Sequence, residues 1–177
     1  MTDRKLGLNL GSGQRPHKST PEVEWINIDS QEKWKPDICY DISDLSRVYE
    51  DNTVDYVVLH HVLEHFGCGE GLPVLCEAFR VLKPGGSLIV SVPDMEKLMS
   101  LWMKGQMTTQ LLMTNIYGAW MGDEADRHKW GYIFRTLVEE IRKAGEWSKV
   151  QSYNYRTIPG ADIARDDKWI LAMEAIK

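Results

Sequence analysis

A short apolar segment that runs directly into a glycine turn constrains the fold more than any other feature. The segment spans Lys5 to Leu10 and is followed by Gly11-Ser12-Gly13. Glycines at this position let the backbone approach a ligand closely, because a Cβ would occupy the same space. A second strand-like segment ends on Asp29, 18 positions after Gly11. A carboxylate there can accept both ribose hydroxyl hydrogens, so the pattern predicts a nucleoside-binding α/β domain.

The residues after the glycine turn limit the kind of nucleoside. A dinucleotide-binding fingerprint has a third glycine three positions after the second, where this chain has Pro16, and Pro21 follows. A full helix is therefore not expected between the first two strands. Pyrophosphate groups need the free N–H groups of a helix N-terminus, whereas an adenosine ligand without phosphates does not. The pattern therefore favours an adenosine ligand without phosphates.

Strand-like and helix-like segments alternate along the rest of the chain. Such alternation predicts a mainly parallel sheet that is covered on both faces. One segment interrupts it: Met95 to Trp130 contains six of the eight methionines and reads as an insertion after a strand. The predicted strands are Trp25–Asp29, Val54–Leu59, Ser87–Val92, Val150–Tyr155 and Trp169–Ala175, and the predicted helices are Leu72–Leu82 and Leu137–Ala144.

Composition narrows the class of protein. With 177 residues, 43% of them hydrophobic, the chain predicts a single domain over 1–177. The 21 basic and 26 acidic residues give a net charge of -5, which disfavours a nucleic-acid partner. No signal-like or membrane-spanning apolar run is present, so we expect a cytoplasmic protein with no membrane partner. The odd number and spacing of Cys39, Cys68 and Cys76 predict free thiols and no structural zinc.

Five segments in order resemble the motifs of the class I S-adenosylmethionine-dependent methyltransferases, and the resemblance extends over nearly the whole chain. It implies a Rossmann-like, doubly wound α/β fold. The sheet would have seven strands, six parallel and one antiparallel, inside three α/β/α layers. The late helix and final strand of the family are similar to HKWGYIFRTLVEEIRKAG and DDKWILAMEAIK. The five motif segments are LNLGSG, WINIDS, DICYDISDL, DNTVDYVVLHHVLEHF and EAFRVLKPGGSLIVSVPD.

The same resemblance implies the cofactor, S-adenosylmethionine with S-adenosylhomocysteine as product, and the residues that bind it. Asp41 would bond the adenine amino group, and Ile42 would cover the ring. The chain departs from the family at Asn9, where many members have an acid near the methionine end of the cofactor. The implied cofactor positions are Leu10, Gly11, Ser12, Gly13, Asp29, Ser30, Asp41, Ile42 and His60.

Two cations on the loop after the glycine turn, Arg15 and Lys18, are candidates to hold the methionine carboxylate. Plain solvated charge is the alternative interpretation, because lysine and arginine side chains are mostly exposed.

Four polar residues crowd the end of the strand VDYVVL: His60, His61, Glu64 and His65. Imidazole titrates near neutrality, so His60 and His65 are our candidates for a general base, and packing histidines are the alternative. Weaker base candidates are His128 and Asp94.

The turn also allows two metal interpretations. The bare H-x-x-E-H pattern occurs in a class of zinc peptidases. The turn also resembles the divalent-ion site of ubiquinone-type and small-RNA 2′-hydroxyl methyltransferases, although those have a glutamate where this chain has His61. We predict no metal, because neither bare motif is specific.

The insertion at 95–130 has two interpretations. Met95, Leu98, Met99, Trp102 and Met103 have helical spacing, which predicts an amphipathic helix ended by Gly105. Its apolar face fits either core and homodimer contact or a lid over the substrate pocket. The overall prediction is methyl transfer to a small-molecule or saccharide-like acceptor, at oxygen. A catalytically silent nucleoside-binding scaffold is the alternative, because fold does not determine function.

Overall fold

The structure, a computed structural model, describes residues 4–119, 123–158 and 168–177. Its helices are α1 (Leu72–Val81), α2 (Met95–Met103), α3 (Thr109–Tyr117) and α4 (Phe134–Lys143). Its strands are β1 (Lys5–Leu10), β2 (Val23–Asp29), β3 (Ile38–Cys39), β4 (Val54–His60), β5 (Leu82–Pro93), β6 (Lys149–Ser152) and β7 (Ile170–Ile176). Short 3-10 turns lie at Glu32–Trp34, Leu63–His65, Glu124–Asp126 and Tyr155–Thr157.

All seven strands form one sheet in the order β3-β2-β1-β4-β5-β7-β6. The pairs from β3 to β5 are parallel, and β7 is antiparallel to both of its neighbours. The predicted sheet of six parallel strands and one antiparallel strand is therefore confirmed. Residues 83–86, between the predicted helix Leu72–Leu82 and the predicted strand Ser87–Val92, lie inside β5, where the register against β4 shifts between Val54 and Tyr56.

The main core lies between the sheet and the pair α1 and α4. Leu8, Leu10, Val57 and Leu59 project from the strands, and the apolar stripes of both helices pack on them. A proline in the first turn of α1 starts the helix without loss of a needed N–H group. Within α1 the fully buried residues are Val74, Leu75, Ala78 and Val81, and in α4 they are Leu137 and Ile141.

Irregular chain covers the opposite face of the sheet near β1 and β2. No helix forms between Gly11 and Glu22, as the two prolines predicted. Instead, the Asn27 side chain accepts a hydrogen bond from the His17 backbone N–H at 2.7 Å and donates one to the His17 carbonyl at 3.1 Å. Asn9 Nδ2 donates to Asn27 Oδ1 at 2.9 Å and to the Arg15 carbonyl at 3.1 Å. Two buried amides thus fix the loop that replaces a helix.

The described residues of the segment 95–130 include the helical pair α2 and α3, which lies at the carboxyl end of the sheet. Asp94 caps α2 by accepting a hydrogen bond from the Lys97 backbone N–H at 3.0 Å, so this weaker base candidate has a structural role. Leu98, Met107 and Leu112 form a small core of their own between the two helices. Met103, by contrast, is 76% exposed.

The four helices have at most 10 residues each. In the part of the chain that the structure describes, no helix has the length and apolar character to cross a bilayer. Cys39, Cys68 and Cys76 are free and exposed.

Candidate functional site

The carboxyl ends of β1, β2 and β4 open onto a cavity of about 470 Å³. In parallel sheets, ligands bind in the crevice at this edge of the strands. The volume lies within the range of ordinary small-molecule sites. Its lining includes Gly11, Gly13, Asp29, Ser30, Gln31, Trp34, Asp41, Ile42, Val62, Phe66 and Lys129. We call it the first cavity.

The glycine turn forms one wall of the first cavity through its backbone. Gly11 has φ of 68° and Gly13 has φ of 48°, both in the left-handed region that favours glycine. A Cβ on Gly11 would lie 2.7 Å from Cγ2 of Val62. The Gly11 backbone N–H also donates to the Ile28 carbonyl at 2.8 Å, which fixes the turn against β2. Only glycine fits the first position.

Asp29, at the end of β2, holds two loops in place with its carboxylate. Oδ2 accepts a hydrogen bond from the Gly13 backbone N–H and Oδ1 accepts one from the Gln31 backbone N–H, each at 2.8 Å. The residue is only 7% exposed, yet it lines the first cavity. Each carboxylate oxygen can accept more than one hydrogen bond. The carboxylate can therefore bind ribose hydroxyls while it keeps the glycine turn in position.

The far side of the first cavity combines a carboxylate with apolar side chains. Asp41 accepts hydrogen bonds from the Ser43 backbone and hydroxyl at 2.8 and 2.7 Å. Ile42 beside it is buried. Trp34 lies in the same wall, with the Lys33 ammonium 4.7 Å from its ring centroid. An aromatic and an aliphatic wall beside a carboxylate suit a flat, polar-edged ring such as adenine.

A second cavity, of about 710 Å³, adjoins the first and shares with it Gly11, Gly13, Gln14, His61, His65 and Asp126. One side consists of sheet residues and the following loop, and the other consists of α3 and the chain after it. We call it the second cavity. Its lining also includes Asn9, Ser12, Arg15, His17, His60, His61, Leu111, Thr114, Asn115, Asp126, His128 and Trp169.

His60 positions a cation at the second cavity. Its Nδ1 bonds Ser91 Oγ on β5, and its Nε2 lies 3.3 Å from Arg15 Nη1. Guanidinium groups only donate, so Nε2 accepts and the ring is the neutral Nδ1–H form. Burial, with smaller effects from His61 and Arg15, lowers the pKa of His60 to about 3. With both nitrogens engaged and so low a pKa, His60 is poorly suited to take a proton.

The turn after β4 brings a buried carboxylate among three histidines. His61 has φ of 55°, a strained conformation for a residue other than glycine, and its Nδ1 lies 2.7 Å from Glu64 Oε1. His65 and His128 lie with their rings at 89° and 4.9 Å between centroids. Burial acts to raise the pKa of Glu64, but His61 and then His128 and His65 lower it below its ordinary value.

Comparisons with known proteins relate part of the chain to a known family. Residues 18–90 match the family described as methyltransferase domain. This range contains Asp29, Asp41 and the histidine turn, and it begins just after the glycine turn. This match and the fold together support a class I S-adenosylmethionine-dependent methyltransferase domain. It is accordingly an enzyme of the class for which S-adenosylmethionine is the cofactor. A search of curated protein sequences found no match.

Solved structures share the fold of this methyltransferase domain at low sequence identity. A SAM-dependent methyltransferase from Archaeoglobus fulgidus is 15% identical with a TM-score of 0.60, and the match covers 99% of this chain and 87% of that one. A Burkholderia thailandensis 1,6-didemethyltoxoflavin-N1-methyltransferase with bound S-adenosylhomocysteine is 15% identical, with a TM-score of 0.56 and coverage of 98% and 71%.

Some related structures are much longer than this methyltransferase domain. An O-methyltransferase family protein from Burkholderia thailandensis is 13% identical with a TM-score of 0.60. The match covers 99% of this chain and 51% of that one, so the domain spans about half of the longer protein. At these identities the likeness concerns the fold.

Most of the predicted site residues of the methyltransferase domain meet at its two cavities. Gly11, Gly13, Asp29, Ser30, Asp41 and Ile42 line the first, and Ser12 and His60 line the second. Leu10 is the exception, because its side chain lies fully buried in the main core. Of the two loop cations, Arg15 lines the second cavity and Lys18 lines neither.

Sequence reasoning missed several wall residues. Trp34 and Phe66 line the first cavity, and Thr114 and Asn115 of α3 line the second. An aromatic residue soon after the acid that ends β2 could have signalled Trp34. The methionines of α2, in contrast, line neither cavity. Within the insertion, α3 and residues after it contribute the cavity walls.

Proposed function

We propose that this methyltransferase domain transfers the methyl group of S-adenosylmethionine to a hydroxyl oxygen of a small polar acceptor, such as a saccharide-like molecule. The observation that carries the proposal is the pair of adjoining cavities at the glycine turn. The first has the lining of an adenosine site, and the second offers amide, hydroxyl and imidazole groups. Polar side chains of this kind suit a hydroxylated acceptor.

Different residues fit different parts of the cofactor. Gly11 and Gly13 offer close backbone approach, Asp29 fits the ribose hydroxyls, and Asp41 with Ile42 fits the adenine. Ser12 and Ser30 would contribute from the same loops, whereas Leu10, whose side chain is buried in the core, would act only through its backbone. His60 contributes by holding Arg15, which is the cation placed to pair with the methionine carboxylate. Asn9 Nδ2 is already engaged with the loop, so it supports the site indirectly.

Alignment is the main task of the protein in this reaction. When bound, the cofactor supplies a methyl carbon that is already activated by a positive sulfonium. The second cavity orients the acceptor toward it, and exclusion of water keeps the reacting atoms together. Of the two predicted catalytic histidines, His65 has the better position, because it lines both cavities and its Nε2 makes no hydrogen bond within the described residues.

The insertion at 95–130 would act as a lid through α3 rather than through the methionine face of α2. Leu111, Thr114 and Asn115 form its contribution to the second cavity. The exposed apolar residues of α2 leave a surface for a homodimer, which stays a prediction, as do the single domain over 1–177 and the cytoplasmic location. These exposed residues are Met99, Trp102 and Met103.

Calorimetry combined with methyl-transfer assays tests the proposal. We expect saturable one-to-one binding of S-adenosylmethionine and S-adenosylhomocysteine, which Gly11→Val abolishes. Gly85→Val is the matched control, because Gly85 has φ of 78° but no atom within 4 Å of an added Cβ. Both variants carry backbone strain, and only the first adds a side chain at the wall of the first cavity, against Val62. Radiolabelled methyl should pass to hydroxylated metabolites. Binding without transfer to any acceptor would support a silent scaffold instead.

A further inference from the structure

Three potential metal ligands from two parts of the chain meet at the wall between the two cavities. One ligand atom from each of Glu64, His65 and His128 lies within 4.8 Å of the other two. Both histidines line the second cavity. Glu64 and His65 belong to the turn after β4, and His128 approaches from the end of the insertion. The fold brings His128 to the two neighbouring residues of the turn.

The carboxylate of Glu64 has an oxygen that lacks a partner. The side chain is 1% exposed, and Oε1 is engaged by His61 Nδ1 at 2.7 Å. Oε2 is buried and has no hydrogen-bond partner among the described residues. A buried carboxylate oxygen is costly unless a cation or a donor compensates its charge. The free oxygen therefore points to a ligand of positive charge.

Both histidines are oriented by backbone carbonyl groups. His65 Nδ1 lies 3.1 Å from the Arg127 carbonyl oxygen, and His128 Nδ1 lies 2.8 Å from the Asn115 carbonyl oxygen. Carbonyl groups only accept, so each Nδ1 carries the hydrogen. Each Nε2 is thereby left as an unprotonated nitrogen with a lone pair. This second hydrogen bond to a carbonyl is the usual orientation device of metal-binding histidines.

We propose that Glu64, His65 and His128 bind a divalent transition-metal ion of the zinc type. Two imidazoles and one carboxylate are a softer ligand set than magnesium or calcium prefers, and they suit zinc, cobalt or iron(II). Three protein ligands leave a coordination position open for water or for a substrate oxygen. His61 acts as a positioning residue, because its bond to Oε1 directs Oε2 of Glu64 toward the ion.

The ion would lie at the wall of the second cavity, beside the acceptor, and its role there rests on the proposed function. When bound, the ion would lower the pKa of an acceptor hydroxyl beside it, so that the hydroxyl would lose its proton more readily. The oxygen then forms a bond to the methyl carbon as the bond from that carbon to sulfur breaks, and the hydroxyl proton leaves to water. His65 would then act as a ligand that holds the ion beside the acceptor, rather than as the base itself.

The test uses the full chain without a histidine tag, freed of metal by a chelator that is then removed. Zn²⁺ titration by calorimetry and Co²⁺ titration by visible absorption should each show one ion per chain. His65→Ala and His128→Ala should each weaken binding roughly 100-fold or more, and His61→Ala roughly 10- to 100-fold. Asp126→Asn is the control, because this acid lines both cavities but lies outside the group.

Two results would overturn the inference: no saturable one-to-one binding, or equal affinity in wild type, His65→Ala and His128→Ala. Circular dichroism checks that each variant is folded. If an alanine variant does not fold, the near-isosteric variant Glu64→Gln takes its place. Calorimetry with S-adenosylhomocysteine separates this inference from the proposed function. Cofactor binding without metal binding refutes the metal site alone, and metal binding without cofactor binding refutes the methyl-transfer proposal alone.

Discussion

Replacement of Asp29 by asparagine separates the two tasks of this carboxylate. The aspartate accepts the backbone N–H groups of Gly13 and Gln31, one on each oxygen. Asparagine has nearly the same shape but offers only one acceptor oxygen, so its NH₂ group must face one of those N–H groups. The variant therefore loosens the glycine turn or the following loop, and it also removes the negative charge that would face the ribose.

The expected magnitudes follow from these contacts. A buried N–H group left without an acceptor costs about 1 to 3 kcal/mol of unfolding free energy. Hydrogen bonds from the ribose hydroxyls to a charged acceptor contribute about 1.5 to 3 kcal/mol to cofactor binding. Their loss corresponds to a Kd for S-adenosylhomocysteine that is roughly 10- to 150-fold higher. Both effects should appear in one variant.

Asp37→Asn is the matched control for Asp29→Asn. Asp37 Oδ2 accepts from the Asn27 backbone N–H and from its side-chain Nδ2, each at 2.8 Å, but Asp37 lines neither cavity. Urea unfolding should show a loss of stability in both variants. Calorimetry should show weaker cofactor binding only for Asp29→Asn. Equal Kd values for wild type and folded Asp29→Asn would refute the assignment of Asp29 to the ribose.

Three further predictions concern the adenine wall, the loop and its histidine. In calorimetry, Trp34→Ala should raise the Kd for S-adenosylhomocysteine roughly 5- to 150-fold, whereas Trp34→Phe should keep most of the affinity. Equal losses of affinity in the two variants would argue against stacking of the adenine on Trp34. Asn27→Ala removes four side-chain hydrogen bonds, so it should lower the unfolding free energy measured in urea by about 2 kcal/mol or more. The control variant Asn115→Ala should change the unfolding free energy by roughly 0.5 kcal/mol or less. Burial lowers the pKa of His17 to about 4 from 6.5, so the unfolded state binds the proton first and stability falls as pH drops below 6.5. In urea titrations, His17 should account for about 2 kcal/mol of the stability that the protein loses between pH 8 and pH 5, and His17→Phe should not show this loss. An equal pH dependence in the wild type and in His17→Phe would contradict a buried neutral imidazole.

The features that sequence predicted best are those encoded by neighbouring residues. The apolar segment before Gly11, the acid at the end of β2 and the stripe of α1 each occupy a few consecutive positions. Their geometry follows from local rules for glycine turns, strand ends and helical spacing. Asp29 and Gly11 therefore lie at the first cavity, as expected.

Features that depend on strand register or on distant contacts were not predictable in this way. His128 joins the histidine turn only because the chain after α3 returns to the sheet, where the Glu64 carbonyl accepts the Lys129 backbone N–H at 2.7 Å. Asn9 stands where many family members have an acid near the methionine end of the cofactor, but its Nδ2 bonds the loop and Asn27. That pairing requires Asn9 and Asn27 to lie opposite each other on β1 and β2, a register that local pattern does not give.

A helix is not needed after the first strand if other groups hold the loop, and here polar side chains on the sheet do so. Asn9 and Asn27 fix the loop backbone at Arg15 and His17, while Ser91 on β5 orients His60, which in turn holds the Arg15 guanidinium. Each step is a hydrogen bond between a strand residue and the next group. The rigid sheet thus holds the Arg15 guanidinium at the second cavity. On a flexible loop alone the same side chain would sample many rotamers, and fixing one of them would cost side-chain entropy. A phosphate-free ligand with one carboxylate needs only that single prepared charge, which explains how so short a connection can serve this site.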